Sequence, residues 1–173
     1  MNNTNLDKIK NFYLGKRRTP EGFSFEDIMN FNSVQFELHH HFIQWLFPIE
    51  TLSFYNSNAP ILTKEEAVKL GECYEVRRKM IQAFQFVCKM YGLDIVFEEE
   101  NIHIIPGNDF SGWWLTKNNH NHLRITRILK CLTNVGLKKY AIAFLQLLES
   151  LYKTNSEGIT KKTMEFWKNA IND

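Results

Sequence analysis

Val76, Met80, Ala83, Phe84, Val87, Cys88 and Tyr91 recur at helical spacing between Glu72 and Tyr91. A 3.6-residue apolar period over that length commits the segment to an amphipathic helix and excludes a strand. Gly92 stands where such a helix ends in a left-handed residue. The same period returns in Ile125, Ile128, Leu129 and Leu132, then in Ala141, Phe144, Leu145, Leu148, Leu151 and Tyr152, and in Met164, Trp167 and Ile171. A chain patterned this way is mainly α.

Start and stop signals mark the remaining elements. Ser24 reads as the N-cap of a short helix, with Glu26 and Asp27 in its first turn favouring the positive helix end. A second helix starts at Ser33 and runs to Phe47, where Pro48 stops it. Residues 51–62, rich in Asn and Ser, read as loop. Thr63 and Glu66 form a capping box for a third helical stretch, which Gly71 bends or breaks. Ile95-Val96-Phe97 and Ile102-His103-Ile104-Ile105 flank the acidic turn Glu98-Glu99-Glu100-Asn101, a β-hairpin pattern near 95–105 with a long excursion loop as the alternative. Helices follow over about 119–134, 138–153 and from Thr160. The pattern predicts a single irregular helical-bundle domain of six to seven helices over residues 11–173, after a flexible start at 1–10.

Fourteen Phe and four Trp supply rings enough for a core of that size, so disorder is excluded. Met1 to Lys10 has no apolar signal-peptide core, and Phe42 to Pro48 is far shorter than the ~20 residues of a membrane span. The expected location is intracellular: cytoplasmic, or nuclear in a eukaryote. Cys73, Cys88 and Cys131 are odd in number and fit free thiols better than a disulfide framework. Charge is uneven. Between Phe110 and Leu148 there is no acid, while Lys117, Arg124, Arg127, Lys130, Lys138 and Lys139 give +6 in a chain of net +2. An anionic ligand or nucleic acid fits such a window.

At 100° per residue, His120, Arg124, Arg127 and Cys131 share a strip beside the apolar stripe of their helix. Two guanidiniums three positions apart, near a helix N-terminus at Asn119 to Asn121, suit one anion. The alternative is a solvated basic face, or Arg paired to Glu from another helix. The helix from Ser33 is apolar nearly all round and leaves a narrow wedge of Glu37, His40, His41 and Gln44, facing either a solvent strip or an internal polar pocket. His39-His40-His41 lacks metal spacing on a helix, and Glu98-Glu99-Glu100 lacks the alternating donors of a calcium loop. No nucleophile elbow, phosphate loop, zinc-protease or dinucleotide motif is present. The chain reads as a binding module rather than an enzyme, with no cofactor or metal.

Two strings go beyond composition. Ile43-Gln44-Trp45-Leu46-Phe47-Pro48, preceded by His40, resembles the H-x-x-I-Q-W-L-F-P signature of the opioid growth factor receptor family. The run from His120 to Leu132 is similar to that family's H-N-N-L-R-I-T-R-I-L-K-x-L, with His122 where Asn is common. The resemblance covers nearly the whole chain and implies a soluble receptor-like module; vertebrate members are receptors for the peptide Met-enkephalin that restrain proliferation. It also singles out His40, Gln44, His120, Asn121, Arg124 and Arg127, polar positions that packing alone does not demand.

The expectation is a polar pocket holding a short peptide or small anionic ligand. Arg124 and Arg127 take the negative group, and Gln44 and His40 fix orientation. Trp45, Trp113 and Trp114 form walls, and His120 and Asn121 complete the site. The alternatives are a nucleic-acid-binding surface over 117–139 and an enzyme acting on a phosphorylated small molecule, with His40 or His120 as acid–base.

Overall fold

The computed structural model describes residues 4–53, 56 and 58–172. In place of a bundle of six to seven helices, the described residues form nine α-helices and one antiparallel hairpin. The chain divides into two compact units, residues 1–86 and 87–173.

The two additional helices have different causes. The first, α1 (Asn5–Tyr13), lies largely where a flexible start is expected. Thr4 and Asp7 close a capping box on it, and its inward face buries Ile9, Phe12 and Tyr13. The second arises because the segment from Ser33 to Phe47 is not one helix. It breaks into α3 (Ser33–Leu38) and α4 (Phe42–Leu46). His39 turns extended at φ −89°, ψ 125°. Its ring lies edge-on to Phe23 at 4.8 Å and tilted over Phe31 at 5.2 Å. Docking of His39 on these two rings accompanies the break, and the continuous polar wedge expected along the helix does not exist.

Elsewhere the caps sit where their residues dictate. Ser24 caps α2 (Phe25–Met29), and Thr63 caps α5 (Lys64–Glu72), both through complete capping boxes. Cys73, extended at ψ 107°, separates α5 from α6 (Tyr74–Met90). The core of the first unit is aromatic. Phe12 packs on Tyr13, Phe25 and Trp45 with ring centroids 5.5 to 6.1 Å apart. The Tyr13 hydroxyl donates to the Leu46 carbonyl. Each ring so buried contributes about 1.5–3 kcal/mol over leaving it in water.

In the second unit Gly92 takes φ +73° and turns the chain into β1 (Leu93–Glu98), paired with β2 (Asn101–Pro106) from Leu93↔Pro106 to Glu98↔Asn101. The hairpin reading near 95–105 thus holds over the loop alternative. β2 packs on α8 (Lys138–Thr154), which meets α7 (Asn121–Asn134) and α9 (Lys161–Ala170). Ile125, Ile128 and Leu129 of α7, Phe144 and Leu148 of α8, and Trp167 of α9 are fully buried. No described helix is long and apolar enough to cross a membrane.

Candidate functional site

The break between α3 and α4 opens a cleft in the first unit. Its volume is about 200 Å³, and Glu21, Phe23, Leu38, His39, His40, His41 and Phe42 line it. Phe23 and Phe42 give aromatic walls. Leu38, 68% exposed, forms an apolar rim. His41 Nδ1 donates to Glu21 Oε1 at 2.9 Å. Burial raises the Glu21 carboxyl, but the His41 hydrogen bond, with help from its own backbone and Thr19, outweighs this and leaves the group below the ordinary carboxylate value. Glu21 is therefore a carboxylate at neutral pH.

Gln44 and Trp45, next along α4, have different surroundings. The Gln44 amide is used at both ends: Nε2 donates to Ser53 Oγ at 2.8 Å, and Oε1 accepts from Asn56 Nδ2 at 2.7 Å. This buried side chain anchors the loop that follows Pro48. Trp45 is 2% exposed, packed on Phe12, with the Arg17 guanidinium 5.9 Å from its ring centroid. Among the described residues, the Trp45 indole Nε1 and Arg17 Nε are buried without a hydrogen-bond partner.

The second unit holds a polar network around Asn121, which is fully buried at the start of α7. Its Oδ1 accepts from the Tyr91 hydroxyl at 2.9 Å and from Arg124 Nη1 at 3.1 Å. Its backbone N–H and Nδ2 both donate to Asn119 Oδ1 at 3.0 Å, and Nδ2 lies 3.4 Å from His120 Nε2. Asn119 thereby does the capping that His120, already helical in φ and ψ, does not. The chain of bonds continues through aromatic residues. Trp114 Nε1 donates to the Tyr91 carbonyl at 3.1 Å, His122 Nε2 to the Trp114 carbonyl at 3.0 Å, and Trp167 Nε1 to the His122 carbonyl at 3.1 Å. Burial depresses the His122 pKa, with the Trp114 bond opposing more weakly. Burial likewise lowers Arg127.

Of the sequence-predicted site residues, His40, Gln44 and Trp45 belong to the first unit, and His120, Asn121, Arg124 and Arg127 to the second. Hydrogen-bond distances join Asn121 to Arg124 and to His120; His40 lines the cleft. Trp113 and Trp114 lie beside Tyr91 at 6.1 and 5.0 Å between centroids. The basic window is not one solvated stripe. Arg124 is buried and Arg127 and Lys130 partly so, which leaves Lys117, Lys138 and Lys139 as its exposed cations. Sequence reasoning missed Glu21, Phe23, Tyr91 and Asn119. Tyr91 carries a signal in hindsight, because a buried tyrosine needs an acceptor for its hydroxyl.

The class of protein follows from comparison with known chains. Residues 2–173 match the family described as the opioid growth factor receptor (OGFr) conserved region, and the chain belongs to that family. It is 28% identical to opioid growth factor receptor-like protein 1 of Xenopus tropicalis, over 94% of this chain and 33% of that protein. It is 29% identical to the opioid growth factor receptor of Mus musculus, over 88% of this chain and 25% of that protein. Identity to the Homo sapiens opioid growth factor receptor is 27%, over 92% of this chain and 24% of that protein. The chain therefore spans a third or less of the length of these relatives. No solved structure matches it.

Proposed function

We propose that this chain is a ligand-binding module of the receptor-like kind and that it takes a short peptide, one side chain of which anchors in the cleft between Glu21 and Phe42. The observation that carries this is the cleft's size and lining. Small-molecule pockets run to roughly 300–1,000 Å³. A volume of about 200 Å³ suits one side chain of a larger ligand better than a whole metabolite. The aromatic walls Phe23 and Phe42 favour an aromatic anchor. The Glu21 carboxylate and the three histidines at the mouth offer polar partners for the peptide's amino group or backbone. His40 is the family-motif residue that contacts ligand in this reading, while Gln44 and Trp45 hold the neighbouring loop and core together. The names of the relatives, receptors for an opioid growth factor, support a peptide as the ligand class.

Calorimetric titration with Met-enkephalin, and with the same peptide carrying Ala in place of each aromatic residue, tests the reading. The expected result is saturable binding of the parent peptide, weakened by Leu38→Asp and His40→Ala and by loss of an aromatic anchor. Equal affinity for all the peptides, or binding unchanged in both variants, would remove the cleft as the site.

A further inference from the structure

The hairpin of the second unit carries an unused edge. Gly107 N donates to the Gly92 carbonyl at 2.8 Å, so these two residues form a hydrogen-bonded pair one step beyond Leu93↔Pro106. Antiparallel pairs alternate between bonded and non-bonded. Asp94, Val96 and Glu98 therefore direct their N–H and C=O groups at β2, whereas Leu93, Ile95 and Phe97 direct theirs outward. Pro106, which has no N–H, falls on an outward position of β2 and blunts that side. β2 is also the strand packed on α8. On β1, Leu93 is buried, but Ile95 is only partly covered and Phe97 is 56% exposed. Among the described residues, no hydrogen bond outside the β1–β2 ladder engages the backbone N–H or C=O of either.

We propose that this edge of β1 takes an extended basic segment of another polypeptide as a third strand. Main-chain groups of Ile95 and Phe97 supply the ladder, and the two faces supply the selectivity. One face presents Asp94 and Glu98, with Glu99 and Glu100 at the adjoining turn; the other presents Ile95 and Phe97. The segment that fits alternates basic with apolar residues. A second copy of this chain fits poorly in the register that bonds Ile95 to Phe97. An antiparallel β1–β1 pair centred on Val96 would set Asp94 opposite Glu98 of the other copy, and like charges directly opposed destabilise a ladder. His103, 3.8 Å from Glu98, sits across the ladder on the β2 side and leaves the outer flank acidic.

Amide hydrogen exchange of the whole chain, with and without a short acetylated and amidated peptide alternating lysine and valine, tests this. Slowed exchange is expected at Ile95 and Phe97, with binding weakened by salt. Two further peptides, N-methylated at every lysine or at every valine, leave the protein untouched. One of the two should lose at least about tenfold in affinity and the other should keep it, because only alternate amides face the strand. A peptide alternating glutamate and valine should not bind. Equal loss or no loss in both methylated peptides, equal binding of the acidic peptide, no binding of the basic one, or slowed exchange elsewhere overturns the proposal. So does protection of Ile95 and Phe97 that grows with protein concentration alone, which would make a second copy the occupant.

Discussion

Tyr91 and Arg124 share one acceptor: the phenol and the guanidinium both donate to Asn121 Oδ1, at 2.9 and 3.1 Å, inside the second unit. Removing one donor and removing the acceptor are therefore unequal operations. Tyr91→Phe deletes one bond and leaves Oδ1 with Arg124, at a cost of about 1 kcal/mol. Asn121→Ala removes the acceptor that both donors share, at a cost of roughly 2–3 kcal/mol. Urea unfolding of the two variants should show that order. Equal losses would mean that the shared oxygen is not the hub.

How much of this site is legible in the sequence depends on what fixes each part. The caps Ser24, Thr63 and Thr160 and the stop at Pro48 are set by residues within one helical turn, so pattern finds them. Thr4 and Asp7 carry the same box for α1, but the polar composition of the first ten residues hides it. The break at His39 is of another kind. Nothing local forbids helix there; two rings from elsewhere in the unit, Phe23 and Phe31, hold the imidazole. Helical spacing likewise places Arg124 and Arg127 on one strip, yet the burial of Arg124 and its bond to Asn121 come from tertiary packing. The cleft beside Glu21 exists only because of the break, so periodicity could not show it.

His122 makes stability depend on acidity. Its folded-state pKa lies below the ordinary 6.5 because burial disfavours the charged ring. The unfolded chain then binds the proton more readily. The neutral-ring contribution is complete above about pH 6.5 and falls as pH drops from there toward the folded-state value. The slope approaches about 1.4 kcal/mol per pH unit at most. Unfolding free energies between pH 7 and 5 should decline in the parent and decline less in His122→Asn. Parallel curves would show that other groups carry the acid sensitivity.

Glu99 holds φ +54° in the hairpin turn, a left-handed conformation that costs a residue with a Cβ about 1 kcal/mol or more. Glu99→Gly should recover about 1 kcal/mol of that strain, minus the entropy gained by the unfolded chain. A rise in Tm with an unchanged denaturant slope is the expected result. A fall would show that the Glu99 side chain stabilises the turn in a way its backbone does not reveal.

The three thiols should separate by reactivity. Cys88 and Cys131 are buried, and burial drives both thiols up, Cys131 to about 12 despite the opposing charge of Arg127. Cys73, at the α5–α6 junction, is partly exposed. Iodoacetamide at neutral pH should add a single adduct to the native chain, on Cys73, and three adducts after denaturation. Modification of Cys131 in the native protein would mean that α7 opens far below the global unfolding free energy.

Pro106 has an effect that reaches beyond single molecules. A hairpin with two competent flanks can recruit strands in both directions and seed fibrils. Here the β2 flank lacks a donor at Pro106 and lies against α8, so β1 is the flank left for an added strand. A strand seated on β1 is therefore not mirrored by one on β2, and the hairpin offers a partner a single lane rather than a template for a growing sheet.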